Sequence, residues 1–321
     1  RAPRVYTAVA MSAPRHVLIV NPQSQGGALG RRWPEVSRAI RRQLGSFEEL
    51  RTEGPGDATR LARQAIDDGA DRIVAIGGDG TINEVVNGFF DNGEPVETNA
   101  ALGILPFGSG GDFRKTISVP KDIDAAAHRL ANGQPRRIDV GHLEYTDHDG
   151  EKGQRMFVNI ASFGVSGLVD RYVNESSKRL GGTLSFLLAS ARAGLNYSNK
   201  RVRLRFDDGE PIDLTVYLCA IANGRYFGGG MYVAPEADLA DGKFDVVSVG
   251  DIGKAQMLLL GTRIYNGTHL TMDAVSQRRA TRIHAEPIGS DEVLLDVDGE
   301  TPGRLPATFR LIPQSLSLVV S

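Results

Sequence analysis

The sequence predicts an α/β domain built on a parallel sheet, followed by a β-rich antiparallel sandwich domain, on three observations. From Arg15 onward, short runs such as "HVLIV", "DRIVAI" and "ALGILP" hold apolar residues at consecutive positions and alternate with stretches of helical periodicity. Strands apolar on both faces belong in a parallel sheet covered on both sides by helices. After "GQPRRIDVG" the rhythm changes to strand-like runs bounded by Gly, Asp and Pro, which favours an antiparallel arrangement. Finally, 321 residues with 41% hydrophobic and 24% charged side chains suffice for two cores.

In chain order, "HVLIV" ends at Asn21-Pro22 and a Gly-rich loop follows. "WPEVSRAIRRQL" then reads as a helix, with Pro34 near its start where a missing N–H costs nothing. "GDATRLARQAIDDGA" predicts a second helix, "DRIVAI" a strand, "TINEVVNGFF" a helix and "ALGILP" another strand. In the second half "QRMFVNIAS", "RVRLRF", "PIDLTVYLCAIAN", "KFDVVSVGD" and "DEVLLDVDGE" predict strands, interrupted by two helical patches. The expected boundaries are residues 15–135 for the α/β domain and 136–305 for the β-rich domain. A final strand within 306–321, "SLSLVV", can return to the first domain. Residues 1–14 read as a tag or upstream extension, since Met11 opens "MSAPRHVLIVNP".

The formal charge of −2 gives no general attraction to nucleic acid or to an anionic membrane. Cys219 is the only cysteine, which excludes an intramolecular disulfide or thiolate cluster and fits a reducing, cytoplasmic location. The six histidines lack zinc-ligand spacing. The apolar stretches "LSFLLASARAGL" and "AQMLLLG" fall short of the ~18 residues of a membrane span, so a soluble protein is expected.

Three Gly-rich turns, "NPQSQGG", "GGDGT" and "PFGSGGD", each follow a predicted strand. In an open parallel sheet such turns gather at the carboxyl edge, where ligands bind. Glycine lets backbone N–H groups face the guest, and a helix beginning near Thr81 adds its positive end, so phosphate is the natural ligand. Asp79 would repel phosphate unless a cation lay between them, which argues for Mg²⁺ with a polyphosphate. No G-x-x-x-x-G-K-[ST], H-R-D or D-F-G motif occurs, and G-x-G-x-x-G does not follow the first strand.

"GGDGTINEVVNG", "LPFGSGGDF", "FGGGMYVAPEADLADGKFDVV" and "DVDGE", in this order, closely resemble the diacylglycerol kinase catalytic-domain family, particularly its bacterial soluble lipid kinases. "GGDGT" alone is shared with NAD kinases and phosphofructokinases; the later motifs make the resemblance specific. It implies an NAD kinase-like α/β domain whose ATP site is lined by Asn21, Thr52, Gly78, Asp79, Gly80, Thr81, Ile82, Asn83 and Glu84, with Ser109 from the third turn. Asp79, Asp112 and Asp139 match the acidic positions that organise Mg²⁺ and water around the phosphates. Asp298 is implied as general base toward a lipid hydroxyl, with Glu300 its partner or itself the base. A second, structural Mg²⁺ is implied at the side chain of Asp241, with carbonyls near Asp238 and Lys243. The chain departs from the family at Gly111, where Asn is usual.

The implied reaction is ATP-dependent phosphorylation of a lipid such as diacylglycerol at a membrane surface, by a cytoplasmic protein with transient, peripheral membrane contact. A kinase of a soluble acceptor such as NAD, and a catalytically weak nucleotide- or lipid-binding module, are the alternatives. Exposed strand edges allow a homodimer. The arginines of "RRWPEVSRAIRRQL" read chiefly as a solvated helix face. The amphipathic "GGTLSFLLASARAGLNY" and "QMLLLGTRIYNGTHL" read as core, with some part flanking a cleft for acyl chains.

Overall fold

The computed structural model describes residues 14–108, 110–175 and 197–320. The first half runs β1 (His16–Val20), α1 (Ser24–Leu44), β2 (Glu48–Arg51), α2 (Asp57–Asp67), β3 (Arg72–Gly77), α3 (Asp79–Gly88), the short pair β4 (Phe90–Asp91) and β5 (Glu94–Pro95), β6 (Ala101–Pro106), α4 (Asp112–Thr116) and α5 (Ile123–Asn132). The second half continues with β7 (Gln134–Asp147), β8 (Lys152–Phe157), β9 (Ile160–Gly164), α6 (Val165–Glu175), β10 (Lys200–Phe206), β11 (Ile212–Val216), β12 (Leu218–Ala222) and β13 (Phe244–Val249). It closes with α7 (Lys254–Arg263), β14 (Val275–Ala280), β15 (Arg282–Pro287), β16 (Leu295–Val297) and β17 (Gly303–Val320).

β2, β1, β3 and β6 form a parallel sheet in that order. β1 and β6 are buried throughout, and β3 from Ile73 onward, as their unbroken apolar runs require. Helix α3 ends at Gly88, where a Cβ would stand 2.5 Å from that of Ala62 and 2.8 Å from the Thr59 carbonyl, so the glycine sets how closely α3 packs on α2. One difference from the sequence reading lies in α1. A first turn at Ser24 is broken by Gln25, Gly26 and Gly27, all at positive φ, and the continuous helix beyond this break begins ahead of Trp33, so that Pro34 sits inside it.

β17 adds to the parallel sheet beside β6, pairing there at Leu318–Leu102, and pairs antiparallel with β7 and β15 further along. The resulting ten-stranded sheet extends through β15 and β10 to β11. A second, antiparallel sheet, in the order β14-β13-β12-β9-β16, packs on its far end. Between the two sheets lie Phe157, Phe163, Phe244 and Phe309, all fully buried, with Phe157 stacked on Phe244 at 5.6 Å. No helix among the described residues is long and apolar enough to cross a membrane. "GGTLSFLLASARAGLNY" lies outside the described residues except for Tyr197.

Candidate active site

The turns after β1, β3 and β6 meet at the carboxyl edge of the parallel sheet and enclose a cleft of about 310 Å³. Asn21, Gly78, Asp79, Gly80, Thr81 and Glu84 line it. Its floor is a contact between two backbones: a Cβ on Gly108 would lie 2.7 Å from the Cα of Gly78. Gly108→Ala is therefore expected to force the β3 and β6 turns apart, costing about 1–3 kcal/mol of stability, which thermal melting checks. Asn21 fixes the rim, its Nδ2 donating to Thr81 Oγ1 at 3.0 Å while its Oδ1 accepts the Gln23 N–H. A larger groove of about 580 Å³, lined by Glu94, Glu97, Arg137 and Gln314 among others, contains none of the glycine-rich turns.

Asp79 opens α3 and turns its carboxylate toward the third turn, accepting the backbone N–H groups of Gly111, Asp112 and Phe113 at 2.9, 3.2 and 3.3 Å. Burial pushes its pKa up, the neighbouring carboxylate of Asp112 adds to the rise, and the three N–H groups oppose it. Asp112 in turn accepts Lys115 Nζ at 2.9 Å and the Gly229 N–H at 2.7 Å. Asp79 lines the cleft with the Asp112 carboxylate near it, and this is the pair that would hold a hydrated divalent cation through water, since Mg²⁺ gives up its waters reluctantly.

The β16–β17 turn enters the same cleft from the other half of the chain. A Cβ on Gly80 would stand 2.9 Å from Glu300 Oε1, so the glutamate lies directly over the start of α3. Arg155 on β8 holds the other oxygen, Oε2, at 2.7 Å. Asp298, at positive φ, is 9% exposed. Its carboxylate accepts Asn83 Nδ2 at 2.8 Å and the N–H groups of Ile160 and Val158 at 2.9 and 3.2 Å. Burial raises its pKa to about 6 against those three donors, with a further push from the charge of Asp79. Asn83 Oδ1 accepts Arg155 Nε at 2.8 Å, so Arg155, Asn83, Asp298 and Glu300 form one network across the two halves.

Several expected site residues lie elsewhere. Asn83 is 1% exposed, is hydrogen-bonded to Asp298, Arg155 and the Met156 carbonyl, and does not line the cleft. Ile82 packs into the hydrophobic core, the face of α3 opposite the cleft. Thr52 is buried beside the end of β1 with its N–H on the Val20 carbonyl, and it does not line the cleft. Asp139 does not join Asp79 and Asp112. Fully buried on β7, it accepts the N–H groups of Gln314 and Gly242 at 2.7 Å each and ties the 238–243 turn to β17. Asp298 sits behind the cleft, enclosed by the Asn83 amide and two backbone N–H groups, whereas Glu300 lines the cleft. Ser109 lies outside the described residues.

In the 238–243 turn, Asp241 accepts the Lys243 N–H at 3.1 Å and is hydrogen-bonded to the guanidinium of Arg279. Asp238 accepts the Ala240 N–H at 3.0 Å and lies 3.6 Å from Arg136. Among the described residues no three His, Cys, Asp or Glu side chains converge as metal ligands. Conversely, Ser24, Gln25, Phe107, Gly108 and Gly110 line the cleft without having been singled out, although all fall within or beside the quoted Gly-rich turns. Arg155, inside "QRMFV", carried no signal beyond a strand.

Residues 15–143 match the profile described as diacylglycerol kinase catalytic domain, and residues 159–320 match the YegS C-terminal NAD kinase beta sandwich-like domain. A Chromohalobacter salexigens protein named "Probable lipid kinase YegS-like" is 37% identical over 67% of this chain and 67% of its own length. A Bacillus subtilis protein named diacylglycerol kinase is 31% identical over 79% of each chain. A solved structure titled as a diacylglycerol kinase from Bacillus anthracis superposes with a TM-score of 0.70, covering 96% of this chain and 97% of that one at 23% identity, and so shares the fold.

Proposed function

The chain belongs to the diacylglycerol kinase catalytic-domain family, and on that premise we propose that it transfers the γ-phosphoryl group of ATP to the hydroxyl of a lipid such as diacylglycerol. The observation that carries this reading is the position of Glu300. The β-rich half lays this carboxylate over Gly80, at the mouth of the glycine-lined cleft and beside the start of α3.

The N–H groups of Gly78 to Thr81 and the positive end of α3 suit the phosphates. Bound Mg²⁺ would supply the charge that lets a triphosphate approach Asp79 and Asp112. Glu300 accepts the proton of the lipid hydroxyl as its oxygen bonds to the γ-phosphorus and the bond to the β-phosphate oxygen breaks. Arg155 aims Glu300, and Asp298 acts as a positioning residue by fixing Asn83, which in turn holds Arg155. The protein's contribution is alignment and charge complementarity, as a loose phosphoryl-transfer transition state requires.

A labelled-ATP assay against a panel of lipid alcohols in mixed micelles, with and without Mg²⁺, tests the proposal. Mg²⁺-dependent label in a lipid product is expected. Transfer to NAD with none to any lipid would overturn it.

A further inference from the structure

The segment "KAQMLLLGTRIYN", residues 254–266, carries Lys254 and Arg263 as its only charged side chains. Helix α7 and the 3₁₀ turn Ile264–Asn266 that continues it rest on the outer face of the antiparallel sheet through Met257, Leu260 and Ile264. That spacing of three and four residues makes a single anchoring stripe, and the opposite side of such a helix is ordinarily polar. Here Leu258, Leu259 and Tyr265 occupy it, 70%, 43% and 51% exposed, and they are the large hydrophobic side chains exposed among the described residues. The helix is apolar on the side that faces the protein and on the side that faces away.

Its mounting ties this patch to the catalytic cleft. The Ile264 carbonyl accepts the N–H of Tyr232, whose ring stacks on Tyr226 at 4.6 Å. The glycines between these two tyrosines reach the acidic pair, since the Gly229 N–H is the one that Asp112 accepts.

We propose that α7 and the turn after it are the face by which this protein seats on an anionic lipid surface. Leu258, Leu259 and Tyr265 enter the boundary between headgroups and acyl chains, and Lys254 and Arg263 meet lipid phosphates. The inference rests on the lipid-kinase reading for its purpose, though not for the chemistry of the patch. That chemistry favours a lipid surface over a second copy of the chain, because a two-fold contact would set the patch against itself and bring the Lys254 and Arg263 cations of the two copies together.

The test is sedimentation of the full chain, without nucleotide, with phosphatidylcholine vesicles and with vesicles in which phosphatidylglycerol replaces about a third of the lipid. Wild-type protein is expected to bind the anionic vesicles. Leu258→Glu/Leu259→Glu is expected to lower that binding roughly tenfold or more. Lys254→Gln/Arg263→Gln should lower it on anionic vesicles and change little on neutral ones, and it serves as the readout if the leucine variant does not fold. Absence of wild-type binding, or undiminished binding by both variants, overturns the proposal. So does a wild-type dimer that the leucine variant renders monomeric without loss of vesicle binding. Leucine-dependent vesicle binding with no phosphoryl transfer to any lipid alcohol would uphold the docking face while refuting the acceptor. As a positive control on chemistry, the leucine variant should phosphorylate a dispersed short-chain acceptor at the wild-type rate and lose activity only on vesicle-borne lipid.

Discussion

Glu300→Gln is expected to slow phosphoryl transfer by roughly 10²–10⁴-fold, the usual worth of a positioned general base. ATP affinity should stay within about twofold, because the change removes an interaction needed only as the hydroxyl attacks. Glutamine keeps the shape of the side chain and an oxygen for Arg155 but cannot accept the proton. Turnover with a lipid alcohol and calorimetric titration with ATP separate the two effects. A variant that retains the wild-type rate would remove Glu300 from the proposed role and return attention to Asp298. Arg155→Met is expected to act in the same direction but less strongly, since it leaves the carboxylate present and unaimed.

The second large effect concerns stability and pH. Burial raises the pKa of Asp298 from its ordinary 3.8 to about 6, so the folded chain holds this proton more tightly than the unfolded chain does. At low pH both forms are protonated and the group costs nothing. As pH rises from about 4 to 6, the unfolded chain releases the proton first, and the folded state loses stability relative to it. By pH 7 the loss reaches about 3 kcal/mol, two pH units at about 1.4 kcal/mol each. Asp79, Asp139 and Asp245 are raised by burial as well and contribute in the same sense. Comparison with Asp298→Asn isolates the one residue. Between pH 5 and 7 the wild-type melting temperature should fall by about 2 °C more than that of the variant, since roughly 1.3 kcal/mol of the loss falls in that window. Equal slopes would show that Asp298 is not held in the uncharged form by its surroundings.

Much of this arrangement was legible in the chain because the first half is locally encoded. Apolar runs such as "DRIVAI" admit only a buried strand, and a Gly-rich turn at the end of each marks the edge where a ligand sits. The turn residues Gly78, Asp79, Gly80 and Thr81 therefore line the cleft where sequence placed them. Ile82 and Asn83 follow them in the motif, but a helix turns by 100° per residue, and the next two positions face the core and β8 instead. Asp139 was illegible for a different reason. Its partners, Gly242 and Gln314, are more than one hundred residues away, so only the register of β17 against β7 reveals that it braces another turn. The order of Asp298 and Glu300 turned on burial, which a two-residue spacing at the end of a strand does not encode. Arg155 has no motif at all, and its role follows from standing opposite the β16–β17 turn.

β17 runs for 18 residues, adjoins β6 near its end and pairs with β15 earlier along its length. Both lobes are thus threaded on one peptide rod rather than joined by a slack tether. Wide jaw-like closure would have to shear that rod, leaving only slight torsion where its ladder skips step, between Arg304 and Thr308 and between Ile312 and Leu316. Admission of the two reactants then falls to small excursions of the surrounding turns, and a proline introduced into the paired stretch Phe309–Leu311 should impair phosphoryl donor and acceptor alike, far from either.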